Sequence, residues 1–240
     1  MGDKDDIAAR LREEVDGVAA LRRRTGDDPA FGRALAELKG WQAKRLAETY
    51  SDLLVHPRYR PATEFFLSDL YGARDFGERD RELARVIPAM CKMLPAGALH
   101  TIAAAVRLDR LSESLDQAVA DALGSRAIDD VSYGDAYRGA GRQGEREEQI
   151  ALTREIGPAL DELTRSKALR TALVLMRKPA RAAGFGDLQD FLERGFEAFR
   201  QMGGASVFLD VVTEREREVM RRLFAAKSRP FDVERQPLPV

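Results

Sequence analysis

Apolar residues return every three or four positions along almost the whole chain, and that spacing admits little but helix. Ile7, Leu11, Val15, Val18 and Leu21 form one such row, and Phe31, Leu35, Leu38, Trp41, Leu46, Tyr50 and Leu53 form the next. A row with this period lies on one face of a rod with 3.6 residues per turn, whereas a half-buried strand would alternate. No stretch of the sequence holds an alternating pattern. Ala and Leu together outnumber Val, Ile and Thr by more than two to one, which also favours helix over sheet. The expected fold is all-α, a multi-helix bundle of about nine or ten helices.

The punctuation between rows places the helix ends. Asp28-Pro29 reads as an N-cap followed by proline in the first turn, and His56-Pro57 ends the second row because a residue before proline avoids the α region. A shorter helix is expected from Pro61 to Tyr71 with Gly72 as its cap. Leu83, Val86, Ile87, Met90 and Leu94 mark another, kinked at Pro88. A long row from Leu99 to Leu123 stops at Gly124. A short helix over Val131–Arg138 meets a glycine-rich loop at 139–144. Further rows run from Ile150 to Leu163 (bent at Gly157-Pro158), from Leu169 to Met176 (closed by Pro179), from Leu188 to Met202, and from Phe208 to Leu223. Residues 1–240 read as a single helical domain, with a seam expected near 125–130 between two helical halves. Residues 228–240, with Pro230, Pro237 and Pro239, read as an extended tail packed through Phe231.

Charge and cysteine content remove whole classes of function. The 240 residues carry a net charge of −1, so no bulk field draws nucleic acid. The short basic runs Arg22-Arg23-Arg24 and Arg221-Arg222 are surrounded by acids. The single cysteine, Cys91, allows neither an internal disulfide nor a cysteine-based zinc site. Set among Met90, Met93 and Leu94, it reads as a buried, inert thiol in a reducing cytoplasm. The longest uncharged run, 93–106, is broken by Pro95, Gly97 and His100 and falls short of the roughly 20 apolar residues that span a bilayer. The acidic start of the chain is no signal peptide. A cytoplasmic protein without membrane or nucleic-acid partners is expected.

Candidate chemistry is sparse. His56 and His100 are the only histidines. Neither belongs to a Glu-x-x-His pair of the kind that builds di-iron bundles, and no Gly-x-Ser-x-Gly elbow is present. No metal and no cofactor is implied. His56 reads as a helix C-terminal residue and His100 as a core or boundary histidine on an Ala-rich helix. Gly139-Ala-Gly141-Arg-Gln-Gly144 matches Gly-x-Gly-x-x-Gly in letters, but a dinucleotide site needs a strand before it, and the preceding residues read as helix. The same segment suggests another use. Tyr137, Arg138, Gly141, Arg142 and Arg146 gather around the start of a helix, where backbone N–H groups and guanidinium groups could hold a small anionic ligand. Glu145, Glu147 and Glu148 in the same turn oppose it. Asp109, Glu113 and Asp116, at steps of four and three, read as an exposed acidic stripe. Asp27-Asp28 and Asp129-Asp130 lack the third acid of a magnesium-diphosphate motif. Phe65, Phe66 and Tyr71, and Phe191, Phe196 and Phe199, read as core.

Phe65-Phe66-Leu67-Ser68-Asp69-Leu70-Tyr71 resembles the signature of a bacterial family, the FFLEELY-motif proteins, with Ser68 and Asp69 where the signature has two glutamates. The similarity extends to Pro57-Arg58-Tyr59 and Pro61 upstream. Downstream it takes in Gly72, Arg74-Asp75-Phe76, Leu111-Ser112-Glu113, Tyr137-Arg138, Gly141-Arg142 and Gly195-Phe196-Glu197-Ala198-Phe199. The resemblance implies an uncharacterised helical protein and assigns no catalytic residue. In such a helix Leu67, Leu70 and Tyr71 are expected to face the core, and Asp69 to face water or pair with an arginine.

With no catalytic constellation in view, the expected function is non-enzymatic: binding, as a homodimer or to another protein. The rival is a small-molecule binder or enzyme holding an anion at 138–146. A third reading is a haem bound through His100.

Overall fold

A computed structural model describes residues 3–70, 77–94, 96–235 and 238. Among them lie eleven α-helices, one π turn and no strand. The helices are α1 (Asp3–Asp27), α2 (Pro29–Thr49), α3 (Ser51–Val55), α4 (Arg60–Phe65), α5 (Gly77–Met93), α6 (Ala96–Leu123), α7 (Asp130–Gly139), α8 (Gln143–Arg165), α9 (Lys167–Ala182), α10 (Gly186–Met202) and α11 (Ser206–Phe224), with the π turn at Phe66–Leu70. The all-α expectation holds, and the division is finer in two places. The second apolar row is cut at Tyr50, whose backbone leaves the helical region, and the helix expected at 61–71 changes to π spacing after Phe65. Tyr71, Gly72 and Arg74-Asp75-Phe76 lie outside the described residues, as does the side chain of Leu70. Among the described residues no helix is long and apolar enough to cross a membrane.

The caps follow the sequence. The Asp28 side chain accepts from the N–H groups of Ala30 and Phe31 (3.0 Å each). Asp129 and Ser132 form a reciprocal capping box at the start of α7, which satisfies two N–H groups that the first turn cannot. Pro88 and Pro158 sit inside α5 and α8. Pro179 does not close its helix as expected: α9 continues to Ala182. Pro179 and Leu175, whose carbonyl loses its bond, both lie on the exposed side, where water can take that carbonyl. The helix ends instead on Gly184 at φ +75°. Phe185 N–H bonds the Ala180 carbonyl (2.8 Å) and Gly184 N–H that of Arg181 (3.1 Å), the Schellman arrangement that a left-handed residue permits.

Helix α11 ends the same way but without a glycine. Lys227 N–H bonds the Arg222 carbonyl (3.0 Å) and Ala226 N–H that of Leu223 (3.1 Å), which sets Ala226 at φ +51°. A Cβ in that region costs about 1–2 kcal/mol, partly offset by the smaller entropy an alanine loses on folding. Ala226→Gly is therefore expected to raise stability by about 0.5–1 kcal/mol in urea denaturation. A variant less stable than the parent would show that this cap is not the one that forms.

Three cores hold the helices together. Tyr50, Leu53, Tyr59 and Phe66 pack with Phe199, Met202 and Phe208, joining α3, α4 and the π turn to α10 and α11. Leu35, Leu38, Val119 and Leu123 meet Tyr133, Tyr137, Val219 and Leu223, so α2 and α6 share a core with α7 and α11 across the 124–129 segment. Phe231 from the tail lies against Trp41 (5.7 Å between rings) and Tyr133 (6.0 Å) at the edge of this core. Leu11, Val15, Val18, Ile87 and Val106 join α1, α5 and α6, with Cys91 partly buried beside them.

Helices α1 and α6 lie along each other, tied by Glu14–Arg110 (3.1 Å), Arg22–Asp109 (3.1 Å) and Arg24–Asp121 (2.7 Å). The Arg110 side chain lies directly over Gly17, where a Cβ would sit 2.5 Å from its Nε.

Candidate functional sites

Helices α2, α6, α7, α8 and α11 line a cavity of about 50 Å³ whose wall includes Gln42, Arg45, Asp116, Arg146, Gln149 and Glu216. Arg45 of α2 forms a two-pronged ion pair with Glu216 of α11 (Nη1–Oε1 2.7 Å, Nη2–Oε2 3.2 Å). The Tyr50 hydroxyl donates to the same carboxylate (2.8 Å). Burial works against the Arg45 charge, yet Glu216 holds the guanidinium above its ordinary range. Gln42 donates to Asp116 Oδ1 (3.0 Å). Burial pushes the Asp116 carboxyl above its ordinary value, against the pull of Arg146 and Lys39.

Tyr137 and Arg146, two of the five residues expected around 138–146, come together in this wall. The Arg146 guanidinium stacks over the Tyr137 ring at 4.7 Å. It donates to Gln149 Oε1 (3.2 Å) and the Leu115 carbonyl (3.4 Å). Burial also pushes the Tyr137 hydroxyl upward. The other three residues stand apart. Arg138 pairs with Asp135 and donates to the Leu223 carbonyl (2.8 Å). Arg142 pairs with Glu145 and donates to Ser114 (carbonyl 3.0 Å, Oγ 2.8 Å). Gly141, at φ +66°, turns the chain between α7 and α8. The non-helical link is only residues 140–142, since Gly139 ends α7 and Gly144 lies in α8.

The acidic stripe is not exposed as expected. Asp109 pairs with Arg22. Glu113 is 5% exposed and takes Lys39 Nζ at 2.6 Å, while Asp116 turns into the cavity wall. Burial opposes the Glu113 charge, but Lys39, Gln117 and Arg22 hold its carboxyl below the ordinary value. The reason is that α1 and α2 cover the face of α6 that the stripe occupies.

His100 is also not where it was expected. It is exposed on α6, 3.9 Å from Glu155, and lines neither the cavity above nor the groove below. His56 caps α3, and its Nδ1 accepts the Arg58 N–H (3.3 Å). Among the described residues no three His, Cys, Asp or Glu side chains come together as a metal site.

The FFLSDL segment borders an open groove of about 630 Å³ between α4, the π turn and α9, floored by α10. Phe65 reaches α10 at Gly195, where a Cβ would lie 2.9 Å from the ring edge. Asp69 is 4% exposed and accepts from Arg194 Nη2 (2.6 Å), the arginine pairing expected of it.

Helix α9 forms the other bank, and it is the feature that sequence reading passed over. Its 16 residues hold Lys167, Arg170, Arg177, Lys178 and Arg181 and no acid. That composition was visible, but the apolar row Leu169, Leu173, Met176 read as ordinary core. In the fold only Ala180 is buried, with Leu169 and Leu173 partly so. Ala168, Ala172, Leu175, Pro179 and Ala182 recur at steps of four and three and are all exposed. Leu175 is 70% and Met176 49% exposed. The apolar arc of α9 is thus wider than the strip it buries. Arg177 and Arg181 pair with Glu193 and Asp190 of α10 (2.6 and 2.8 Å). Lys167, Arg170 and Lys178 have no carboxylate within 4.0 Å among the described residues.

A family model described as Domain of unknown function (DUF8198) matches residues 21–230. No curated protein and no solved structure matches the chain.

Proposed function

The chain belongs to the DUF8198 family of unknown function, and from that premise we propose that the protein works by binding, with α9 as its contact surface and an acidic amphipathic helix of another protein as its partner. The observation that carries this reading is the uncovered ridge Ala168–Ala172–Leu175–Pro179–Ala182, flanked by cations. Apolar groups at steps of three and four are what a second helix packs into, and small residues let its backbone come close. The cationic flank selects acids on the partner and repels a second α9, so a symmetric pair of these faces is disfavoured. With Leu175 and Met176 as its large side chains, the ridge offers little volume to anchor in lipid. The partly buried Cys91, the only cysteine, fits the reducing cytoplasm we propose as the compartment. The resemblance to FFLEELY-motif proteins enters the same proposal and adds no catalytic role.

Leu175→Glu tests it. The side chain is exposed, so the unfolding free energy is expected to stay within about 0.5 kcal/mol of the parent. Binding of a synthetic Leu-striped, Glu-flanked helical peptide, read by fluorescence anisotropy, is expected to weaken at least tenfold, and a Lys-flanked peptide is expected not to bind. Equal binding of both peptides, or no effect of Leu175→Glu, would sink the proposal. So would a concentration-dependent dimer, or binding to anionic vesicles, that the same substitution abolishes.

A further inference from the structure

The polar chamber raises a question of charge that α9 does not touch. Arg45 is closed on Glu216, and Lys39 on Glu113. Arg146 is different. It is 8% exposed, yet among the described residues no carboxylate lies within 4.0 Å of it, and its acceptors are the neutral oxygens of Gln149 and Leu115. Its charge reaches Asp116 across the cavity, but a guanidinium out of water with no carboxylate in direct contact is an expensive arrangement. Donors that serve no protein acceptor collect beside it. Among the described residues Arg45 Nε is buried with no hydrogen-bond partner, and the Tyr137 hydroxyl, in the same wall, makes no hydrogen bond either.

We infer that this chamber is a binding site for a small monoanion, a carboxylate or inorganic oxoanion of three or four heavy atoms, with Arg146 as its counter-charge. Size sets the limit. About 50 Å³, at roughly 10–15 Å³ for each water-sized centre, holds about three to five such groups. A nucleotide or sugar phosphate does not fit. Arg146 supplies the charge and the Tyr137 hydroxyl a neutral donor, while Arg45, closed on Glu216, lines the same wall. Asp116 faces the same space. Its Oδ1 accepts from Gln42, and burial raises its carboxyl against the pull of Arg146 and Lys39, so it is the wall group that opposes an anion.

Thermal unfolding of the full chain in sodium acetate or sodium nitrate, with sodium sulfate at matched ionic strength as the comparison, reads the site. A saturable rise in Tm is expected with the monoanions, against an unsaturating drift with sulfate. Arg146→Gln is expected to weaken the apparent affinity at least tenfold, Tyr137→Phe a few-fold, and Asp116→Asn, which removes a carboxylate from the wall, is expected to keep or tighten binding. The inference is overturned by the absence of a saturable effect for both monoanions, or by an undiminished one in Arg146→Gln. If Arg146→Gln does not fold, Tyr137→Phe decides: unchanged affinity there overturns the site.

Discussion

Phe208→Ala is expected to unfold the chain's most aromatic core at a cost of about 3–5 kcal/mol. Phe208 is 1% exposed near the start of α11, where it meets Phe66 of the π turn (6.3 Å, 84° between planes) and Phe199 of α10 (6.4 Å, 85°). Both contacts are edge-to-face, the geometry the ring quadrupole prefers. Phe66 stands about 140 positions before Phe208 and Phe199 lies on the preceding helix, so truncation at Phe208 loses packing against the π turn and α10 at once. Phe208→Leu keeps most of the volume and is expected to cost roughly half as much or less. Urea denaturation measures both, and a loss under about 1 kcal/mol for Phe208→Ala would mean that this core is not a cooperative part of the fold.

The second large effect is expected at Asp52. Arg215 is 4% exposed and donates to both oxygens of Asp52 (2.7 and 2.6 Å) and to the Thr49 carbonyl (3.1 Å). Asp52→Ala leaves the guanidinium without its counter-charge, and such losses run to about 3–5 kcal/mol. The pair does not act as net attraction alone: Asp52→Ala combined with Arg215→Met is expected to recover much of the loss, because the stranded charge goes with its partner. The pH dependence follows from the direction of the shift. Burial works to raise the Asp52 carboxyl, but the hydrogen bond and charge of Arg215 win and lower it from 3.8. A carboxyl lowered on folding contributes stability that is complete above its unfolded pKa and is lost as pH falls through the folded one. The gap between the parent and Asp52→Asn is therefore expected to be widest near pH 7 and to narrow below about pH 3.8. A gap that stays constant to pH 2.5 would show that the ion pair does not set it.

Much of the fold is written in local spacing, and the parts that are not share one cause. Leu35, Leu38, Leu46 and Leu53 are buried where the period puts them, Asp28 caps α2, and Gly124 at φ +61° ends α6. These are decided by neighbours within a turn or two. Local spacing presents Glu113 and Asp116 as solvated because their partners, Lys39 and Gln42, stand 74 residues away, and only tertiary packing brings α2 over them. Arg45 and Glu216 gave no signal for the same reason, being 171 positions apart. Pro179 shows the opposite failure, a strong local rule overridden where solvent satisfies the carbonyl that proline leaves open. Of the residues expected around 138–146, Tyr137 and Arg146 point inward while Arg138 and Arg142 do not. That division depends on helical phase around a three-residue link that the glycine pattern made look longer.

The pairing of α1 with α6 has a consequence for how the chain is made. Arg22 and Asp109 are 87 positions apart, and Arg24 and Asp121 are 97 apart. At about 5–20 residues per second, a ribosome releases the first helix roughly 4–20 seconds before the surface it covers exists. Through that interval Leu11, Val15 and Val18 travel uncovered. The nascent polypeptide thus carries a bare apolar row well before it is a folded molecule, and slower translation between the two helices lengthens its exposure.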